Sequence, residues 1–269
     1  MNNFFYGQKV EENMLSKEDI NEYNKKGFII LKNYIDPNLL GSLKKTLFSM
    51  FSHNIKNSIK TDRLDEVINK LENEDHKKVY NVQKAIGSSS EAITFINSLK
   101  MGELHSDLYG SNKNNVHLTL MQSPVQFPND DRFDFKWHQE SGSYTGYSNI
   151  LTCWFPILGP VNKTNGSMTL IPESHKDGKR ECFHIKKESG LNDWVIDVNE
   201  DENSKAQIVQ INPCDVVLFD SNVIHKSVAN IGNIIRITGI IRALDMISGK
   251  EIIPLSGDNS SYISDEHSR

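Results

Sequence analysis

The sequence predicts a mainly β fold, a jelly roll or barrel, that is preceded by a helical N-terminal part. Apolar residues recur at helical spacing through roughly the first hundred positions, whereas from about residue 116 short apolar or alternating runs are separated by Pro, Gly, Asn and Asp. The chain has 269 residues, 37% of them hydrophobic, which is enough for one sizeable core. We therefore expect a single domain with helices over about 16–110, a β core over about 116–245 and a polar tail over 256–269.

Helices in the N-terminal part are predicted from their caps and their apolar spacing. Ser16, with an acidic residue three positions later, begins a short helix that Gly27 ends. Asp36 and Pro37 begin a second helix, in which leucines and other apolar residues share one face through residue 52. Two further helices are predicted around 62–73 and 89–100.

Short strands are predicted throughout the β core. They cover residues 116–122, 133–140, 149–158, 167–172, 194–198, 207–211, 215–220, 223–228 and 234–245. Strands of this length and spacing are typical of a jelly roll or barrel. In a strand over 133–140 the aromatic side chains would share one face, and His138 and Glu140 would share the other.

Composition and charge exclude several partners. The net charge of −5 and pI near 6.0 give no basic footprint for nucleic acid or an anionic membrane surface. No run of apolar residues reaches membrane-spanning length, and the N-terminus does not resemble a secretory signal. The three cysteines are odd in number and form no C-x-x-C pair, so we expect reduced thiols and a cytoplasmic location. The sequence does not indicate an oligomeric state.

Three His-x-acid triplets are candidates for a metal site, because a histidine and a carboxylate two positions apart are two members of the iron-binding facial triad. They begin at His105, His138 and His175. His105 follows the helix predicted over 89–100 and its Gly102 stop, and His175 lies in a turn-rich segment. Only His138 lies in a two-faced strand, although a histidine hydrogen-bonded within a half-buried sheet explains its pattern equally well.

A second histidine and an arginine lie further along the chain. His225 begins a predicted hairpin whose returning strand carries Arg236. An arginine in so apolar a strand is costly unless it meets an anion, and its planar fork matches a carboxylate. The alternative is that Arg236 reaches solvent or a carboxylate of the protein itself.

These residues together resemble the phytanoyl-CoA dioxygenase family, whose members are Fe(II)- and 2-oxoglutarate-dependent oxygenases on a double-stranded β-helix. The resemblance rests on 27–34, Trp137-His138-Gln139-Glu140, 165–178, 215–219 and His225-Lys226-Ser227, followed by Asn230 and Arg236. It implies a cupin-like jelly roll flanked by helices, with Fe(II) held by His138, Glu140 and His225. It also implies that Arg236 and Ser227 bind the far carboxylate of 2-oxoglutarate, and that His175 belongs to a loop rather than to the metal.

The resemblance extends to weaker candidates and shows one departure. Trp154 and Thr119 match positions near the co-substrate in some members, and His117 shares the face of Thr119, although core packing explains these residues as well. Family members usually have aspartate where this chain has Glu140, whose extra methylene shifts the carboxylate. A glutamate here also argues against halogenation, because halogenating members have a small residue at this position.

The expected activity is hydroxylation of an unactivated C–H bond of a small polar metabolite, using Fe(II), 2-oxoglutarate and O2 and releasing succinate and CO2. Two alternatives stay open: an iron cupin that does not use 2-oxoglutarate, and a catalytically silent β-helix domain that binds a ligand. For the other candidates near the site, Arg242, Tyr144 and Tyr147, we expect surface placement rather than contact with substrate.

Overall fold

The computed structural model describes residues 13–56, 59–132, 134–144, 147, 149–186 and 192–247. The polar tail predicted over 256–269 lies outside these residues. The helices are α1 Lys17–Lys26, α2 Pro37–His53, α3 Leu64–Ala85, α4 Ser90–Ser98, α5 Met101–Tyr109 and the short α6 Glu200–Ser204. None of the helices in the described ranges has the length and apolar character to cross a membrane.

The helix caps follow the sequence in most places. Ser16 and Asp19 form a reciprocal capping box at the start of α1, and Gly27 ends this helix in the left-handed conformation with φ 83°. The predicted stop at Gly102 is wrong, because this residue lies inside α5. The chain breaks instead at Lys100, whose φ is 52°, and a new helix begins directly after it.

The strands form the two sheets of a double-stranded β-helix. They are β1 Phe28–Leu31, β2 Val116–Leu118, β3 Val125–Gln126, β4 Ile150–Leu158, β5 Met168–Leu170, β6 Phe183–Lys186, β7 Asn192–Val195, β8 Gln207–Ile208, β9 Val216–Asp220, β10 His225–Ser227 and β11 Arg236–Asp245. The larger sheet has the antiparallel order β1-β9-β4-β11-β2, with β3 also paired to β11. The smaller sheet has the order β10-β5-β8, and β6 pairs with β7. The predicted fold class is confirmed.

Strand β4 is buried on both faces and separates two apolar cores. Leu151, Cys153 and Phe155 point from one face into the core shared with the helices. Trp154 points from the other face into the interior between the two sheets, where Phe219 also packs. The buried helical face of α2 therefore supports the larger sheet from behind, and the interior is left for the polar residues described below.

The segment around His138 is not the regular strand that the sequence predicts. Its backbone nevertheless bonds to both neighbours: His138 exchanges two hydrogen bonds with His225, and the Ile196 amide donates to the Trp137 carbonyl at 2.9 Å. The Ser227 amide donates to Phe135 O at 2.9 Å, although a regular antiparallel register would pair it with Lys136. This one-residue shift is a bulge-like irregularity, and the segment ends in a 3-10 turn over Glu140–Gly142.

The close contact between Gly239 and Phe155 allows the packing of the helices against the larger sheet to be tested. Gly239 lies opposite Phe155 in the β4–β11 ladder, and a Cβ at this position would overlap the Phe155 ring, which packs on Phe95 of α4. We expect Gly239→Ala to lower the free energy of unfolding by about 1–3 kcal/mol through overpacking, measured by urea denaturation.

Gly41→Ala is the matched control. Gly41 lies inside α2, and an added Cβ there meets nothing within 4 Å. This variant should raise the free energy of unfolding by about 0.5–1 kcal/mol, because alanine costs less conformational entropy in a helix. Equal effects of the two variants would contradict the role of Gly239.

Candidate active site

His138 and His225 face each other across the edge of the smaller sheet. The His138 amide donates to His225 O at 2.9 Å, and the His225 amide donates to His138 O at 3.0 Å. Directly opposed residues of an antiparallel pair project their side chains to the same side, and here the two ring centroids are 4.0 Å apart. The backbone pairing, rather than a long side chain, therefore sets the spacing of the two imidazoles.

Both imidazoles are oriented by a carbonyl two residues earlier in the chain. His138 Nδ1 lies 2.7 Å from Lys136 O, and His225 Nδ1 lies 2.9 Å from Val223 O. A carbonyl can only accept, so each Nδ1 carries a proton and each Nε2 is the ring nitrogen left to bind a metal ion, which is the arrangement that metal-binding histidines use. The shifted pairing at Phe135 is what leaves the Lys136 carbonyl in position for His138.

Glu140 reaches the same place from the 3-10 turn. The neighbouring Gln139 fixes this turn, because its buried amide donates to Gly178 O at 3.0 Å and to Asn222 O at 2.7 Å, and its oxygen accepts the Arg180 amide at 2.8 Å. The Glu140 side chain is buried, with Oε1 3.7 Å from His225 Nε2. The predicted shared strand face is wrong for Glu140, but the turn places its carboxylate beside the histidines.

His138, Glu140 and His225 form a cluster in which one potential ligand atom from each residue lies within 4.8 Å of the others. Among the residues that the structure describes, no other group of three His, Cys, Asp or Glu side chains meets this condition. Burial and the neighbouring His225 lower the pKa of His138 to about 3, so its ring is neutral at physiological pH. This donor set fits a divalent iron ion, which two neutral imidazoles and a carboxylate bind on one face.

The carboxylate of Glu140 is paired with Arg242 on β11. Arg242 Nε donates to Oε2 at 2.9 Å and Nη2 donates to Oε1 at 2.8 Å. Burial alone would raise the pKa of Glu140, but the charge and hydrogen bonds of Arg242 outweigh it and hold this pKa well below its usual range. The expected surface placement of Arg242 is wrong, since only 7% of the residue is exposed.

Arg236 lies on the inner face of the larger sheet, beside Trp154. It is 5% exposed, and its guanidinium carbon lies 5.8 Å from the centre of the Trp154 ring. Burial lowers the pKa of Arg236 to about 9, opposed by the charge of Asp134, so Arg236 still carries its charge at neutral pH.

Buried polar atoms without a hydrogen-bond partner among the described residues surround Arg236. They are Arg236 Nε, Thr238 Oγ1, and both amide atoms of Gln126, which pairs with Arg236 across the β3–β11 ladder. Unpartnered buried polar groups are costly in an apolar interior. The set suits a ligand that brings a carboxylate, such as the distal end of 2-oxoglutarate.

The remaining predicted site residues lie on β10, on β2 and directly after β2. Ser227 lies on β10 two positions after His225, and so on the same side of the strand. Thr119 is buried, and its hydroxyl accepts the Arg242 amide at 3.0 Å. His117 lies on β2 opposite Leu244 and is half-buried, and burial lowers its pKa. Their contacts with a co-substrate stay predictions.

The other two triplet histidines have structural roles. His105 is fully buried in α5, where its ring nitrogens lie 2.6 Å from Ser111 Oγ and 2.5 Å from Asn149 O. His175 packs over Gly27, and its Nε2 lies 3.2 Å from Asn24 O. Neither belongs to the cluster formed by His138, Glu140 and His225. Sequence reasoning missed Gln139, Arg242 and Gln126, whose roles depend on contacts between distant segments.

Two imidazoles and one carboxylate in a double-stranded β-helix define the class of mononuclear non-haem iron oxygenases. The family model described as phytanoyl-CoA dioxygenase (PhyH) matches residues 23–238. The chain belongs to the phytanoyl-CoA dioxygenase family, which confirms the resemblance. It is an oxygenase that depends on Fe(II) and 2-oxoglutarate.

Individual relatives are distant. A probable phytanoyl-CoA dioxygenase of Caenorhabditis elegans is 21% identical over 228 residues, which cover 82% of this chain and 72% of that protein. The peroxisomal phytanoyl-CoA dioxygenase of Homo sapiens is 20% identical over 225 residues, covering 82% of this chain and 66% of that protein. Since a third of the human protein lies outside the match, its substrate is not carried over.

Solved structures show the same fold. SnoK, a non-heme alpha ketoglutarate dependent carbocyclase from nogalamycin biosynthesis, superposes with a TM-score of 0.60 at 16% identity. The match covers 91% of this chain and 95% of that one. At this identity the likeness supports the fold, and the reaction outcome has to be argued from the residues of this chain.

Proposed function

We propose that this chain binds Fe(II) through His138, Glu140 and His225, binds 2-oxoglutarate with Arg236, and hydroxylates an unactivated C–H bond of a small polar metabolite. The observation that carries the proposal is the convergence of two imidazoles and one carboxylate, with one potential ligand atom of each residue within 4.8 Å of the others. The bound iron and 2-oxoglutarate supply the oxidative chemistry, with release of succinate and CO2.

The chain itself contributes ligand geometry and a dry interior. Each Nδ1–H bond to a backbone carbonyl fixes the tautomer in which Nε2 faces the metal. The apolar residues between the sheets, among them Phe219 and Trp154, exclude water around this site. In such an environment a buried charge such as Arg236 attracts a carboxylate more strongly than it would in water.

The proposed co-substrate site extends from the metal towards Arg236. Ser227, Trp154 and Thr119 are proposed to flank it, as the family resemblance implies, together with His117, which shares the face of Thr119. Gln126 is an addition from the structure, because its amide is completely buried, has no partner among the described residues and lies opposite Arg236. The Gln126 oxygen also lies so close to Gly166 that a side chain there would overlap it.

Replacing Gln126 tests this extension. We expect Gln126→Leu to weaken 2-oxoglutarate binding about 10-fold, the effect of one lost hydrogen bond to a charged group. Isothermal titration of the Fe(II)-loaded protein with 2-oxoglutarate under anaerobic conditions measures this affinity. Ser52→Ala is the control, since Ser52 Oγ is another buried atom without a partner but lies in α2, and this variant should bind normally. An unchanged affinity of Gln126→Leu would remove Gln126 from the site.

A cleft of about 330 Å³ lies beside the segment that carries His138, although His138, Glu140, His225 and Arg236 are not among its lining residues. Its lining includes Asp134, Lys136 and Lys226 together with the aromatic residues Phe135 and Trp137. Its volume lies at the lower end of the range for small-molecule sites. Charged groups next to aromatic faces suit a compact polar molecule better than a long acyl chain.

An anaerobic titration with Fe(II) and then 2-oxoglutarate tests the proposed function. The ternary complex should show the weak visible charge-transfer band of iron-bound 2-oxo acid, and a panel of amino acids, hydroxy acids and acyl-CoA thioesters should then be screened for stimulated succinate release. An iron cupin would bind Fe(II) without the band, and a silent domain would give neither. Stimulation by acyl-CoA thioesters alone would overturn the small polar substrate.

A cytoplasmic location remains part of this proposal. It is supported by the three cysteines, which are all free thiols, with Cys153 buried and Cys182 and Cys214 half-buried.

A further inference from the structure

Every nitrogen of the Arg242 guanidinium group donates a hydrogen bond, and two of the three donate to the candidate metal ligand Glu140. Nε and Nη2 donate to the two oxygens of Glu140, and Nη1 donates to Gln122 Oε1 at 3.1 Å. The backbone of Arg242 is held as well, because Thr119 donates its amide to Arg242 O at 2.9 Å and accepts the Arg242 amide on its hydroxyl. The ring of Tyr144 lies against the guanidinium, with its centre 5.4 Å from the guanidinium carbon.

The position of Glu140 explains why such a residue is needed. Glu140 lies beyond the last backbone pair between its segment and β10, in a 3-10 turn, so the sheet does not fix its side chain. A glutamate has one more rotatable bond than an aspartate and loses more conformational freedom when it is held in place. Two parallel hydrogen bonds from an arginine fix both carboxylate oxygens at once.

We propose that Arg242 is a positioning residue that aims the Glu140 carboxylate at the metal and compensates for the longer side chain at this position. The inference rests on the proposed role of His138, Glu140 and His225 as metal ligands. Oxygen Oε1, which accepts from Arg242 Nη2, is also the oxygen that lies 3.7 Å from His225 Nε2. Gln122 and Thr119 act through Arg242: Gln122 holds Nη1 of its guanidinium group, and Thr119 holds its backbone.

If Arg242 acted only through its charge, its removal would change the metal affinity in the opposite direction from the loss that a positioning role predicts. A guanidinium next to the centre repels a divalent cation, so removing the charge would tighten metal binding if charge alone mattered. If Arg242 positions Glu140, removing it loosens the carboxylate and weakens binding. The sign of the change in metal affinity therefore separates the two effects without any measurement of turnover.

Metal binding to the apoprotein under anaerobic conditions tests the proposal. Mn(II) is the probe, and the free ion is quantified by its electron paramagnetic resonance signal. We expect Arg242→Met and Arg242→Lys each to weaken Mn(II) binding about 10- to 100-fold, the usual cost of losing a residue that orients a ligand. Lysine should not rescue the loss, because it keeps the charge but lacks the two-point fork. Gln122→Leu keeps both charges and should shift the affinity in the same direction by less.

A second arm tests the link to the glutamate. In a Glu140→Asp variant the shorter carboxylate lies further from Arg242. Adding Arg242→Lys to this variant should therefore lower the Mn(II) affinity less than it does in the wild-type chain. A double-mutant cycle on the Mn(II) affinities should show coupling between the two positions. Thermal unfolding of every apoprotein variant shows which of them fold. If the Arg242 variants do not fold, the Gln122→Leu result decides.

The outcomes separate this inference from the proposed function. If Arg242→Met binds Mn(II) as tightly as the wild-type chain, or more tightly, the positioning role is overturned. If the Arg242 variants do not fold, wild-type Mn(II) affinity in Gln122→Leu overturns it instead. Equal Mn(II) binding by the wild-type chain and His225→Ala would instead show that the metal centre itself is misplaced. Loss of binding in His225→Ala with normal binding in both Arg242 variants would leave the proposed function standing and reject Arg242.

Discussion

His225→Ala is expected to reduce Fe(II)-dependent turnover of 2-oxoglutarate by more than about 100-fold. Replacing a residue that only orients a metal ligand already lowers metal affinity or activity about 10- to 100-fold, and His225 is proposed as a ligand itself. The variant loses an imidazole whose ring centre lies 4.0 Å from the ring centre of His138. The Nδ1 atom of this imidazole is held by Val223 O, which leaves Nε2 for the metal. Succinate release in the presence of Fe(II), 2-oxoglutarate and ascorbate measures the effect.

His76→Ala is the control for this loss. His76 is an exposed histidine of α3, and its removal should leave turnover unchanged. His105→Ala serves less well, because this buried ring is hydrogen-bonded at both nitrogens and its loss should lower stability. A His225→Ala variant that keeps most of its activity would rule out the proposed metal centre.

Arg236→Met should raise the concentration of 2-oxoglutarate needed for half-maximal turnover about 100-fold, since truncating one partner of a buried charge pair costs about 2–5 kcal/mol. Lysine at this position should recover part of the affinity, because it restores the charge but not the planar fork. The measurement is the dependence of succinate release on 2-oxoglutarate, compared with the anaerobic dissociation constant.

Arg63→Met provides the matched control for Arg236. Arg63 is an exposed arginine whose partners are Asp65 and Glu66, far in sequence from the site residues. Its replacement should leave the dependence on 2-oxoglutarate as in the wild-type chain. If Arg236→Met showed the same unchanged dependence, the co-substrate would have to bind elsewhere.

Local patterns in the sequence predict many of the elements, and the family resemblance adds the candidate site. The caps at Ser16 and Asp36 set the starts of α1 and α2. The helix predicted over 62–73 ends where α3 is kinked at Asp75, although the helix continues to Ala85. Such features depend on neighbours within a few residues, which periodicity and capping rules describe.

Contacts between distant segments account for what the sequence did not reveal. Arg242, which holds Glu140, is 102 residues away from it in the chain. Arg242 shares a strand face with Arg236, but no local pattern in the sequence shows that its side chain is buried against Glu140. The irregular pairing at Phe135 likewise arises from the register with β10, which period-two alternation cannot express. Alternation singled out His138 and Glu140 although their segment is not a regular strand, and the family resemblance added His225 to the predicted ligand set.

The reciprocal amide bonds between His138 and His225 make the spacing of the candidate ligands a property of strand alignment. Because side chains alternate along a strand, slippage of either segment by one residue would turn its histidine to the opposite face and dismantle the whole donor set in one step. The spacing of the two imidazoles thus depends on the alignment of these two short segments alone, whereas the third candidate ligand, Glu140, depends in addition on Gln139 and Arg242.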